Sequence, residues 1–306
     1  PGNIRVDPKT SHGSRAIQPA KIGDEAIFVQ RSGKKIRSFT LGIDGYKSLD
    51  LSVRNDQITL GGVVDMVWQK EPWQVLWCVT ATGKLIGLTY NSEQEVVGWH
   101  SHTLGGVFGS GDAFVEAVQC IPSPTNDRDD LYLIVKRTIN GATKRYIEYF
   151  VPEFQTGDAV TSPFYVRCGV TYNGAPTTTV SGLTHLNGQT VAVLADGSSH
   201  ANCVVTSGSI TLTRSASIIH AGLPYTSTLQ TMRLEAGSVT GSAQGKIKRV
   251  AHAIIRFFNT VGAKAGPTLT NMDNIEFRLT TDIMGSPIPI RSMDKKVPWP
   301  GGYETD

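Results

Sequence analysis

At 306 residues and 33.0 kDa, the chain can bury a sizeable core arranged in about one to three domains. A formal net charge of +3 falls short of the concentrated basic face of a dedicated nucleic-acid binder, and no apolar run reaches the roughly 18 residues of a membrane span. The 32 glycines and 15 prolines interrupt the chain so often that its elements must be short, which points to an all-β architecture.

Residues 1–22 are expected to form an N-terminal arm or linker. From 23 to 159 one pattern recurs: an apolar strand, a glycine turn, then a second strand. It appears as AIFVQRSGKKIRSFTL (26–41), VLWCVTATGKLIGLTY (75–90) and LYLIVKRTINGATKRYIEYF (131–150), with turns at Gly33, Gly83 and Gly141. Apolar and polar side chains alternate along each strand, as two unlike sheet faces require. Glycine supplies the positive φ of a tight hairpin. The middle unit predicts four strands: Val63–Gln69, Gln74–Thr80, Lys84–Tyr90 and Val96–His102. Four strands in about 40–50 residues is the signature of a β-propeller blade. The third unit begins at Phe114–Ile121. Three blades cannot close a ring of about four to eight. Either the units form an open stack or, the favoured expectation, the remaining blades lie outside this sequence, which begins at Pro1 without a methionine and reads as a piece of a longer chain.

Composition changes near residue 160. Between 160 and 236 there are only five charges, Arg167, Asp196, Arg214, Arg233 and Glu235, amid dense Ser and Thr. Strands at Thr190–Leu194, Cys203–Thr206 and Ser209–Thr213 predict a small β-barrel or sandwich module. Residues 237–286 read as a β segment returning to the main body, opening with a strand over 245–260. Pro287, Pro289, Pro298 and Pro300 predict an extended C-terminal arm over 287–306.

These residues carry a resemblance. The stretch DLSVRNDQITLGGVVDMVWQKEPWQVLWCVTATGKLIGLTYNSEQEVVGWHSHTLGG (50–106) closely resembles the tail nozzle, or tail tubular protein B-like, proteins of short-tailed bacteriophages (podoviruses). So do 131–150, SGLTHLNGQTVAVLADG (181–197), HAGLPYTSTLQTMRLE (220–235) and SAQGKIKRVAHAIIRFFNTVGAKAG (242–266), in order along roughly 23–266. The resemblance implies the C-terminal portion of a nozzle subunit. It also implies a homohexameric tube below the portal and adaptor, neighbouring tail fibres or spikes, that conducts DNA during ejection. It implies a virion location, assembly in the host cytoplasm and no catalytic residues.

The candidate chemistry reads as structural. His100 and His102 share one strand face and could hold a metal, but no third ligand is apparent nearby. The loop Asn126–Asp130 lacks the ligand spacing and closing Glu of a calcium loop, so a solvated turn is expected. The Gly105–Gly111 run lacks the Lys-Ser/Thr pair of a phosphate cradle and reads as an inter-blade linker. His185, Asp196 and His200 occur without a nucleophile elbow. Cys78, Cys120, Cys168 and Cys203 have no zinc or redox spacing and are expected to be free and buried, as in a reducing cytoplasm. No cofactor is implied.

Trp68, Trp73, Trp77 and Trp99 are expected to fill the space between blades, although exposed aromatics on a propeller can stack on sugars or bases. Two basic clusters remain. Arg31, Lys34, Lys35 and Arg37 sit at a hairpin tip. Lys246 and Lys248, expected on one face of the 245–260 strand, and Arg249 could touch DNA phosphates or, more in keeping with a bore that must not grip DNA, a neighbouring subunit. The leading expectation is a virion structural protein. The alternative is a host-surface glycan-recognition or glycan-processing propeller, although the S-x-D-x-G-x-T-W boxes of sialidase-type enzymes are missing from the sequence.

Overall fold

The computed structural model describes residues 8–125, 127–232, 245–299 and 302–303. It is all-β: 54% of the chain is strand and 2% is helix. The first sheet runs in sequence order through β1 (Ala20–Ile22), β2 (Glu25–Val29), β3 (Ile36–Gly42) and β4 (Gly45–Lys47). A one-turn helix, α1 (Asp56–Thr59), leads to the second sheet, β5 (Val63–Gln69), β6 (Val75–Thr80), β7 (Leu85–Asn91) and β8 (Val96–His102). A small hairpin, β9 (Val107–Phe108) and β10 (Gly111–Asp112), leads to the third, β11 (Phe114–Pro122), β12 (Asp129–Ile139) and β13 (Ala142–Tyr149). All three are antiparallel meanders, and Gly33, Gly83 and Gly141 turn their hairpins with φ of 78°, 80° and 75°. The expected N-terminal arm is partly absorbed, because β1 and a bridge from Ser14 to Gln30 extend the first sheet.

The strand β6 explains how the sheets stack. All six of its residues are buried, so both of its faces meet protein. Leu76 and Cys78 point into one core with Ile27, Val29 and Ile36 of the first sheet. Val75, Trp77 and Val79 point into another with Val115, Val118, Leu131, Leu133 and Val135 of the third. Each side chain of this size contributes about 1.5–3 kcal/mol on burial, so the middle sheet is held from both sides. A repeated backbone bond fixes the stacking: Val63 donates its N–H to the Gly33 carbonyl (2.7 Å), and Val115 to the Gly83 carbonyl (2.9 Å). The turn of each blade thus receives the first strand of the next.

The fourth sheet has the order β14–β17–β15–β16, with β14 at Arg167–Val180, β15 at Thr190–Ala195, β16 at Ser198–Val204 and β17 at Ile210–Leu223. It is an open sheet, where the low-charge segment had suggested a closed barrel or a sandwich. The long first strand was not expected, because Gly169, Gly174 and Pro176 interrupt it. Register shifts at Arg167/Val170 and Asn173/Thr177 absorb those residues and bend the strand. Its core contains Leu183, Leu186, Val191, Val193, Ile210, Leu212 and Ile219, joined by Ile139 from β12. The expected boundary at 236/237 lies outside the described residues.

The last part forms two ribbons. β18 (His252–Thr260) starts seven residues later than the strand expected at 245, and pairs with β21 (Arg291–Pro298). Between them β19 (Ala263–Thr268) pairs with β20 (Asn271–Ile275). Of the arm expected over 287–306, Arg291–Pro298 is extended but paired, since the interval between Pro289 and Pro298 leaves its amides free to bond. No helix among the described residues is long and apolar enough to cross a membrane.

Candidate functional site

The densest cluster of unusual side chains lies at the end of β8. His100 Nδ1 and His102 Nε2 are 2.7 Å apart, and Thr89 Oγ1 lies 3.3 Å from the other nitrogen of His100. The Trp77 ring packs on both imidazoles and on Phe150. His100 fits because its cross-strand partner is Gly87, where any Cβ would overlap the imidazole ring. Burial lowers the pKa of His100. Burial, then His100, then the Arg167 guanidinium hold His102 at about 4. The pair is thus neutral near pH 7 and linked to itself. Among the described residues no group of three His, Cys, Asp or Glu side chains is placed to hold a metal ion.

The candidate groups His185, Asp196 and His200 serve the backbone. His185 Nε2 lies 2.9 Å from the Cys168 carbonyl, and the Asp196 carboxylate accepts the amides of Ser217 and Ile218. His200 Nε2 accepts the Thr213 amide at 3.0 Å, with its Nδ1 2.7 Å from the Ala201 carbonyl. These three groups are not assembled into a triad. Cys203 Sγ comes within 3.8 Å of His200 Nδ1, but burial raises its thiol pKa, the opposite of an activated thiolate. All four cysteines are free; Cys78 is buried and the others partly so.

The Gly105–Gly111 run joins β8 to β11, as a linker would. Its Gly105 carbonyl accepts a bond from Arg137 Nε (2.7 Å), a side chain wholly buried and ion-paired with Glu148. Within the expected solvated loop, Asn126 lies outside the described residues. Asp129 is a strut there, because its carboxylate accepts the amides of Lys70 (2.8 Å) and Glu71 (3.3 Å). A loop contact this distant in sequence leaves no local pattern to read. A cleft of about 680 Å³ beside the Gly83 turn is lined by Phe114 and by Thr80, Thr82, Lys84, Ser101 and Asp112, whose side chains can bond polar groups.

Three tryptophans fill cores as expected. Trp77 is buried, while Trp68 and Trp99 pack against the first core and Trp99 donates to the Leu51 carbonyl. Trp73 does not: it is 52% exposed. In the first basic cluster, Lys35 is tied to Asp50 and Asp56, and Arg37 bonds Ser48, so only Arg31 and Lys34 stand exposed. Lys246, Lys248 and Arg249 precede β18 and do not share a strand face, since the strand begins at His252. Lys248 takes part in an isolated bridge, and Arg249 lies 5.9 Å from the Tyr303 ring.

No protein-family model matches the chain, and no curated protein matches it. Among solved structures, a Bacteroides uniformis protein provisionally assigned as a 6-phosphogluconolactonase is similar at 12% identity and a TM-score of 0.25. The match covers 90% of this chain and 73% of that one. A likeness this remote bears on neither fold nor function.

Proposed function

We propose that the chain is a virion structural protein, part of the tail nozzle of a short-tailed bacteriophage, and that it acts by geometry and not by catalysis. The observation that carries this reading is the ordered run of sequence blocks between residues 23 and 266 that resemble nozzle proteins. The distribution of apolar surface supports it. Ile254 and Phe258 on β18, Leu269 in the β19–β20 turn, and Ile283 and Met284 between β20 and β21 stand exposed, surface that a neighbouring subunit in a ring would cover. In this reading six copies enclose a bore below the portal and adaptor and beside the tail fibres or spikes. DNA passes through without being gripped.

Duplex DNA carries about one charge per 1.7 Å, so a strongly basic wall would hold it by counterion release. The net charge of +3 suits a bore that does not. Lys246, Lys248 and Arg249 then face neighbouring subunits. Immunogold labelling of virions with antibody to this chain tests the reading. Gold is expected at the tail below the portal; label on the capsid, or none on virions, would sink it. Replacing Lys246, Lys248 and Arg249 together by Glu is expected to impair tail assembly while leaving the chain folded. Normal assembly with abnormal DNA ejection would instead put those residues in the bore.

A further inference from the structure

Of the four tryptophans between residues 63 and 102, Trp73 is the one that packs into no core. It lies in the turn between β5 and β6, and half of its surface faces solvent. The turn is rigidly held: Asp129 accepts the Lys70 and Glu71 amides through its carboxylate, and the Gln69 side-chain amide through its carbonyl (2.8 Å). The indole N–H is fixed as well, donating to Glu153 Oε2 at 3.0 Å. The edge of the ring is therefore anchored while its surface remains open, and Glu153 keeps Oε1 as a further acceptor.

A second exposed aromatic belongs to the same neighbourhood. Tyr165, 63% exposed, has its phenol pKa raised by burial, by Tyr225 and by the Glu153 carboxylate, which places all three within electrostatic reach. Tyr225 is itself stacked on the Arg167 guanidinium, 4.0 Å from its ring centroid. Three chain segments thus converge: the β5–β6 turn, the β13–β14 connection and the residues after β17.

We propose that Trp73, Glu153 and Tyr165 form a binding site for a pyranose unit of a neutral polysaccharide. The Trp73 ring covers the C–H face of the sugar, which is the apolar side of an otherwise polar ligand. Glu153 Oε1 accepts from a sugar hydroxyl, and the Tyr165 phenol exchanges a hydrogen bond with another. Charge selects against the other ligand that stacks on aromatics. The Glu153 carboxylate at the edge of the indole repels the phosphates of a nucleic acid strand. The proposal does not rest on the nozzle reading, since a polysaccharide site suits any protein that meets a cell envelope.

The test uses the 306-residue chain with three probes, maltohexaose, cellohexaose and mannohexaose, followed by tryptophan fluorescence and calorimetry. At least one is expected to bind saturably with a Kd of about 0.1–10 mM. Trp73→Ala should weaken binding by about tenfold or more, Glu153→Gln by about threefold, and Trp73→Phe should retain part of it. None of the three should move the thermal midpoint, because the side chains are surface-exposed. No saturable binding of any probe up to about 50 mM would overturn the proposal. So would binding that Trp73→Ala leaves unchanged, or tighter binding of an oligo-thymidine strand than of every sugar.

Discussion

The blade stack and the C-terminal ribbons use the same raw material, short antiparallel strands with glycine turns, to opposite effect. In the stack, β6 has a sheet on each side and every one of its side chains is buried. In the ribbons, β18 and β21 pair only with each other, and Phe258 remains 71% exposed. A two-stranded ribbon is marginal in water without something to cover it. The middle of the stack is thus covered on both faces, whereas the ribbons are covered by no further sheet. Stability should reside in the first region and association in the second.

The largest effect is expected from Leu76→Ala. Leu76 is wholly buried between two sheets, so urea unfolding should show a loss of about 2–5 kcal/mol from transfer and cavity formation. A loss below about 1 kcal/mol would mean that the stack does not hold the chain together.

The His100/His102 pair sharpens the same contrast through pH. The folded pKa of His102, about 4, lies below the ordinary value of 6.5, so the unfolded chain binds more protons between those values. Stability contributed by the neutral imidazole is full above about pH 6.5 and is lost as pH falls toward 4, by on the order of 3 kcal/mol. Thermal midpoints measured across that window should fall more steeply for the native chain than for His102→Gln. Parallel curves would show that carboxylates alone set the slope.

Phe258→Ser should have the smallest effect on the isolated chain, within about 0.5 kcal/mol by urea unfolding, because the ring is already in water. Its effect should appear in sedimentation or in tail assembly, where association weakens. A clear loss of monomer stability would put Phe258 in a core instead.

The stack was legible because its alternation is strict and each hairpin carries its glycine. Trp77 even betrayed the second core, being out of phase with Leu76 and Cys78, which face the first. What escaped was short, interrupted or distant. β1 and β4 have three residues each, too few to show a period. β14 hides behind Gly169, Gly174 and Pro176. The exposure of Trp73 depends on Asp129 and Glu153, which are 56 and 80 positions away along the chain (129−73, 153−73).

The buried Arg137 also has a mechanical consequence. It sits on β12, the central strand of the third sheet, bonded to the Gly105 carbonyl and paired with Glu148 of β13. Gly106 packs between the Arg137 side chain and Leu223, the last residue of β17. A load on that contact therefore reaches β12, whose two ladders, to β11 and β13, share it. The Gly105–Gly111 connection is thus welded to the third sheet where a glycine-rich linker would otherwise make a hinge.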